Sequence, residues 1–232
     1  MNIIVLIKPV PDLGEIKVSR GKGQVIEIGN RIMNSWDRTA MQLASDLKKE
    51  HNGSIHAISI CREKENEILR EAFTMGADNC YQLTDSQFKS EDAFQKTIIL
   101  SRAISKLPQF DLILCGARSD VGFSGQIGPR VAESLKIPQA TSVTSVSLEN
   151  DEITFSSSIF AAAKMQKIKL PALLTVDRFI REPKLPNALM IMKAYKKEII
   201  VWTAEDLGLG NEDIGQAGAL TKVYSQYLAE VE

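Results

Sequence analysis

Leu112-Ile113-Leu114-Cys115-Gly116-Ala117-Arg118-Ser119-Asp120-Val121-Gly122-Phe123-Ser124-Gly125-Gln126-Ile127-Gly128-Pro129 passes from a short apolar run, through a glycine-bearing polar loop, into a segment where Ile127, Val131 and Leu135 recur at helical spacing. An apolar run bounded by turn residues and followed by 3.6-residue periodicity reads as a buried strand feeding a helix. In open α/β sheets that junction lies on the carboxyl edge, where ligands bind. Gly122, Ser124, Gly125 and the free amides of the first helical turn suit a phosphate or pyrophosphate, which backbone N–H groups and the helix dipole stabilise. Arg118 can add a bidentate contact. The same residues also read as a glycine-rich loop that binds nothing, and spacing alone leaves both readings open.

Working outward, the alternation repeats. Asn2 to Ile7 is an apolar run, and a glycine-bearing excursion follows in which Ile16–Val18 and Val25–Ile28 form a predicted hairpin. Asn34-Ser35 stands where a helix cap belongs, ahead of Ala40, Leu43, Ala44 and Leu47, and Asn52-Gly53 marks the turn after them. Ile55 to Ile60 is the next strand, then a helix carrying Ile68, Leu69, Ala72 and Phe73 that Gly76 stops. A short Tyr81–Leu83 run precedes Ser90-Glu91-Asp92, a cap for a helix running through Phe94, Ile98 and Ile104 to Pro108. Beyond Pro138, Thr141–Leu148 and Ile153–Ser157 form a predicted antiparallel pair turning at Glu149-Asn150-Asp151, and Ala172–Val176 is one more buried strand.

This order predicts an α/β protein with a Rossmann-like, mostly parallel sheet and helices on both faces. Residues 1–202 read as the α/β domain and residues 203–232, polar until a short helix over Val223–Leu228, as a C-terminal arm suited to packing on a partner.

Composition excludes several classes. With 44% hydrophobic and 25% charged residues and a formal net charge of −1, the chain makes no global electrostatic case for nucleic acid. No run approaches the roughly 20 apolar residues of a membrane span, so no membrane insertion is expected. Three widely spaced cysteines, Cys61, Cys80 and Cys115, predict no disulfide framework and a cytoplasmic setting. Neither a P-loop nor a G-x-G-x-x-G fingerprint is present. Gly122-Phe123-Ser124-Gly125-Gln126 departs from a nucleophile elbow at Gln126. His51 and His56 form no ligand pair with a nearby cysteine or acid. No catalytic residue set emerges.

Several segments, in order, resemble the beta (small) subunit of electron-transfer flavoproteins. Val5-Leu6-Ile7-Lys8-Pro9-Val10-Pro11-Asp12 is similar to the family's V-K-x-V-P-D strand end, Asn34-Ser35-Trp36-Asp37 with Ala40 to its N-P-x-D-x-x-A helix start, and Ala72 to Asp78 to its A-x-x-M-G-A-D turn. The loop from Gly116 to Pro129 aligns with G-x-Q-A-I-D-G-D-T-G-Q-V-G-P, and Ile137-Pro138-Gln139 continues it. Leu170 to Val176, Glu182-Pro183, Ile191-Met192-Lys193-Ala194 and Asp206-Leu207-Gly208 complete the resemblance. Val121 and Phe123 stand where the family has aspartates, and Arg118, Ser119 and Asp120 also depart from it. Pro9-Val10-Pro11-Asp12 looks more like the bifurcating and nitrogen-fixation-associated branches.

The resemblance implies an adenine-nucleotide alpha-hydrolase-like fold and an electron carrier without bond-making catalysis of its own. It implies an FAD-bearing alpha subunit as partner, a dehydrogenase such as an acyl-CoA dehydrogenase or another redox protein as client, and AMP or a second FAD in this chain. By position, the nucleotide meets Leu6 and Lys8, Asn34 to Asp37, Ile60 and Cys61, and the loop from Gly116 to Gln126, chiefly through Gly116, Arg118, Asp120, Gly122, Phe123, Ser124, Gly125 and Gln126. The segment Lys184 to Met192 matches the loop that docks redox partners, with Leu185, Leu189 and Met190 as anchors; an amphipathic helix packed on its own core is the other reading. Two further readings remain: a free-standing, universal-stress-like domain that senses an adenine nucleotide, and an ATP pyrophosphatase, whose S-G-G-x-D-S loop Lys8–Asp12 does not supply.

Overall fold

The computed structural model describes residues 1–15, 17–19, 24–27, 29–88, 92–159, 165–215 and 218–221. Its strands are β1 (Asn2–Leu6), β2 (Pro9–Pro11), β3 (Lys17–Ser19), β4 (Gln24–Glu27), β5 (Arg31–Met33), β6 (Ser54–Ile60), β7 (Asn79–Leu83), β8 (Leu112–Gly116), β9 (Gln139–Glu149), β10 (Glu152–Ser157), β11 (Gln166–Lys169), β12 (Ala172–Val176) and β13 (Ile199–Trp202). The helices are α1 (Ser35–His51), α2 (Glu67–Thr74), α3 (Ala93–Lys106), α4 (Ile127–Leu135) and α5 (Ala188–Lys196).

Nine strands form one sheet in the order β11-β10-β9-β12-β8-β1-β6-β7-β13. Every neighbouring pair from β9 across to β13 is parallel; only β10 runs against its neighbours. The chain moves from β1 outward to β6 and β7, then returns to place β8 on the other side of β1. The reversal makes the carboxyl ends of β1 and β8 the topological switch point, the place where open α/β sheets hold ligands.

Period-2 alternation along the strands builds two cores. Ile3, Val5, Leu112, Leu114 and Leu174 meet α1 and α2 on one face, through Ala40, Leu43, Ala44, Leu47, Ile68 and Leu69. Ile4, Leu6, Ile113 and Leu173 meet α3 and α4 on the other, through Ile99, Ala103, Ile104, Val131 and Ala132. A strand buried on both faces reads as an unbroken apolar run, which is why β1, β8 and β12 were legible. Gly128 lets α4 lie close on the sheet, since a Cβ there would come within 2.4 Å of Thr175 Cγ2.

Most boundaries follow local chemistry. α1 closes on Asn52 in the left-handed region (φ 50°), whose N–H donates to the Lys48 carbonyl. At the start of α3 the Asp92 carboxylate caps the N–H groups of Phe94 (2.6 Å) and Gln95 (3.3 Å). Asn150 and Asp151, both at positive φ, make the turn between β9 and β10. β3 and β4 pair antiparallel as the excursion required. Ile16, Ile28, Ser90, Glu91 and the predicted helix over Val223–Leu228 lie outside the described residues. Within the segment from 203 onward, Ala204, Leu207, Leu209 and Ile214 are buried in the second core. No helix of the described residues is long and apolar enough to cross a membrane.

Candidate functional site

The carboxyl ends of the neighbouring strands β1 and β8 are organised by one carboxylate. Asp37, in the first turn of α1, is buried, and its two oxygens accept the backbone N–H of Lys8 (Oδ2, 2.9 Å) and of Gly116 (Oδ1, 2.8 Å). Lys8 follows β1 and Gly116 ends β8, so the side chain ties both strand ends to one helix. The sequence allows this because Gly116 lacks a side chain: a Cβ there would sit 2.4 Å from Trp36 Cβ and 2.7 Å from Asp37 Oδ1. Burial pushes the Asp37 carboxyl up to about 6, against the pull of the Gly116 and Lys8 amides, the Asn34 side chain and the Lys8 ammonium.

A second set of contacts fixes the loop over α1. The Asn34 side chain donates from Nδ2 to the Arg118 carbonyl (3.0 Å) and accepts at Oδ1 from the Asp120 N–H (3.0 Å). Asp120 returns the contact, accepting from Ser35 N–H (2.9 Å) and Ser35 Oγ (2.8 Å). Asn34 occupies the N-cap position of α1, but its side chain makes no cap bond. A carboxylate 85 residues away in sequence supplies one, satisfying an orphan amide of the helix start. Lys8 Nζ donates to Ser119 Oγ and the Val121 carbonyl, both at 3.0 Å.

Beyond Asp120 the loop opens. Gly122 (φ 90°), Phe123 (φ 51°) and Gly125 (φ 63°) occupy the left-handed region. Gly122 would place a Cβ in open space, whereas one at Gly125 would meet the Ala117 carbonyl at 3.0 Å. Glycines with positive φ turn successive backbone amides toward an anion in nest-type loops, and no side chain among the described residues caps the first turn of α4. A phosphate group fits that donor set: amides, a helix start and the exposed Arg118 guanidinium. The Arg118 guanidinium lies over the Phe123 ring at 4.9 Å, and Trp36 meets the same ring edge-on at 6.3 Å.

The candidates divide into those the structure gathers and those it holds apart. Lys8, Asn34, Asp37, Gly116, Arg118 and Asp120 share one hydrogen-bonded cluster. Gly122, Phe123, Ser124, Gly125 and Gln126 line the loop's outer half, where Gln126 Oε1 accepts from Arg130 Nε at 3.0 Å. Leu6 is buried at the end of β1. Ile60 and Cys61 end the neighbouring strand β6, on the same edge but outside the cluster, where the Cys61 N–H donates to the Leu83 carbonyl (3.2 Å). Burial raises the Cys61 thiol to about 11 and pushes Cys80 and Cys115 up as well, so none is a thiolate. His56 is half-buried, near Ser54 Oγ and Asn79 Nδ2, and burial lowers its pKa. Among the described residues no His, Cys, Asp or Glu side chains gather as a metal set.

Ser35, Trp36 and Ser119 fall inside the stretches the resemblance assigns to the nucleotide, and the structure shows how they take part: Ser35 meets Asp120, Ser119 meets Lys8 and Trp36 meets Phe123. Only the loop's return onto α1 joins them to the cluster, and no local pattern announces that. The Trp36 indole nitrogen is buried and has no hydrogen-bond partner among the described residues.

At the far end of the chain α5 keeps only Ala194 buried. Leu189, Met190, Ile191, Met192 and Tyr195 are exposed, and Leu185 just before the helix is 96% exposed. A helix packed by its apolar side on its own core is therefore not what forms. Exposed contiguous apolar clusters are rare on protein surfaces.

The fold defines a doubly wound α/β protein whose switch point carries a glycine-rich loop and two helix starts. The model of the electron transfer flavoprotein domain matches residues 22–207. The chain belongs to the electron transfer flavoprotein family, as a beta subunit. It is 36% identical to the electron transfer flavoprotein subunit beta of Thermoanaerobacterium thermosaccharolyticum, over 96% of this chain and 86% of that one. Similarity extends to the subunit beta of Megasphaera elsdenii, at 33% identity over 96% of this chain and 86% of that protein. The caffeyl-CoA reductase-Etf complex subunit CarD of Acetobacterium woodii is 31% identical, over 98% of this chain and 87% of its own length.

Proposed function

We propose that the chain pairs with an electron-transfer flavoprotein alpha subunit, binds an adenine nucleotide at the loop from Gly116 to Gln126, and takes part in passing electrons from a dehydrogenase to an acceptor. The nucleotide is AMP or the adenylate portion of FAD. The observation that carries this reading is the Asp37 tie between the Lys8 and Gly116 amides, which holds the glycine loop against α1 at the switch point. The flavin of the complex supplies the one- and two-electron chemistry. This chain's residues do the positioning: Asp37 and Asn34 fix the loop, Gly122 and Gly125 turn its amides, and Lys8 braces it from the β1 side. In this reading residues 1–202 are the α/β domain, the following stretch packs on its second core through Ala204, Leu207, Leu209 and Ile214, and any arm on the partner starts beyond Ile214. The setting is cytoplasmic.

Co-expression with the alpha subunit tests it. The purified complex should show flavin absorbance and release an adenine nucleotide on denaturation, one flavin with AMP or two flavins per heterodimer. A chain that purifies alone, without flavin or partner, favours the stand-alone sensor instead.

The docking role belongs to Leu185, Leu189 and Met190. Buried apolar anchors dominate protein interfaces, and Leu189 is 58% exposed, so Leu189→Glu should leave the fold intact. The rate of flavin reduction by the cognate dehydrogenase should fall about ten-fold or more, while nucleotide content and melting temperature stay at wild-type values. An unchanged rate removes the docking role.

A further inference from the structure

Arg118 is the one residue of the loop whose charged group makes no hydrogen bond or ion pair among the described residues. Its neighbours are otherwise committed: Asp120 gives both oxygens to Ser35, and Lys8 Nζ holds Ser119 and the Val121 carbonyl. The Arg118 backbone is fixed as well, because its carbonyl accepts from Asn34 Nδ2 at 3.0 Å. From that anchor the side chain passes beside Gly125, where an added Cβ would lie 3.9 Å from Arg118 Cγ. It ends with the guanidinium 4.9 Å above the Phe123 ring. Phe123 holds this position in the left-handed region, which disfavours bulky side chains. Trp36 backs the ring edge-on at 6.3 Å. The outcome is an exposed guanidinium, oriented by an aromatic plane and free to present its fork of donors.

We infer that Arg118, positioned by Phe123, makes this site selective for an adenine nucleotide bearing a diphosphate over one bearing a single phosphate. The inference rests on the nucleotide-binding reading above and deepens it. One phosphate is met by the amides of the glycine turn and the start of α4. A second, next along the chain of the ligand, falls to the fork of Arg118, the side chain suited to bidentate phosphate contact. Lys8 serves the loop itself, its ammonium holding the Ser119 hydroxyl and the Val121 carbonyl. The diphosphate is that of a free nucleoside diphosphate or of a dinucleotide such as FAD.

The test uses the co-purified heterodimer. Mass spectrometry of the released nucleotide, with flavin counted per heterodimer, separates ADP from FAD as the resident ligand. Calorimetric titration of the nucleotide-depleted complex then compares ADP with AMP. ADP should bind about 10- to 100-fold more tightly in the wild type. Arg118→Gln should bring the two within about three-fold by weakening ADP alone, and Arg118→Lys should restore only part of the difference. Phe123→Ala should weaken ADP less than Arg118→Gln does, with AMP unaffected, as a positioning role requires. Equal affinities in the wild type, or a preference that survives Arg118→Gln, overturn the inference and leave the nucleotide site standing. Binding of neither nucleotide sinks the site itself, and the inference with it.

Discussion

Asp37→Ala is expected to destabilise the chain by about 2–6 kcal/mol at pH 4 and by clearly less at pH 7, and to release the nucleotide at both. The substitution leaves the Lys8 and Gly116 N–H groups without their acceptor, in a place where water does not readily replace it. Each orphaned amide costs about 1–3 kcal/mol. Against that stands relief of a buried charge. The folded chain holds the Asp37 proton more tightly than the unfolded chain does, since burial raises the carboxyl from its ordinary 3.8 to about 6. Its contribution to stability is therefore fully present below pH 4 and is lost as pH rises through 6. Integrated to pH 7, that loss approaches about 3 kcal/mol. Wild type should therefore lose about 2–3 kcal/mol relative to Asp37→Ala between pH 4 and pH 7. Urea denaturation of both proteins at the two pH values measures this difference, and the other titrating groups cancel in it. Parallel pH profiles would mean that Asp37 titrates normally and that the buried tie is not under electrostatic load.

The same residue shows where sequence reading succeeds and where it stops. β1, β6, β8 and β12 were legible because strands buried on both faces leave unbroken apolar runs, and α1, α3 and α4 because one apolar side repeats at helical spacing. β11 was not: Gln166-Lys167-Ile168-Lys169 is an edge strand with one buried side chain, and its pattern is that of a loop. β13 was overlooked although Ile199-Ile200-Val201-Trp202 carries the β-branched and aromatic signature of a strand. Its neighbour β7 lies far back in the chain, and pairing over that distance has no local signal.

Within the site, the glycine loop and its position on the carboxyl edge were visible from spacing, and the involvement of Asn34, Asp37 and Lys8 from family resemblance. The direction of their bonds was not. Asn34 looks like a helix cap in sequence, yet it serves the loop, while Asp120 caps the helix from the loop side. Such an exchange depends on where the chain returns in space. Arg118 and Phe123 were visible as departures from the family pattern, and only their stacking gives the departures a physical reason.

Gly116→Ala is expected to destabilise the chain by about 2–6 kcal/mol and to empty the proposed nucleotide site in whatever fraction still folds. The new Cβ would sit 2.4 Å from Trp36 Cβ and 2.9 Å from the Trp36 carbonyl carbon. The second contact is backbone, so no rotamer relieves it, and the start of α1 must move away from the end of β8. Overpacking of this kind costs about 1–3 kcal/mol. The movement also lengthens the Asp37–Gly116 bond, now 2.8 Å, and an amide left unpaired there adds about 1–3 kcal/mol. Gly122→Ala separates these effects from left-handed strain. Its φ is 90°, yet its Cβ would meet nothing within 4 Å, so its cost is conformational and about 1–2 kcal/mol. Urea denaturation ranks the two variants. Trp36 fluorescence follows the local movement, with Trp202 as a constant background, and should shift in Gly116→Ala but not in Gly122→Ala. Equal costs for the two substitutions, with Trp36 emission unmoved, would show that the close approach of α1 to β8 does not hold the site together.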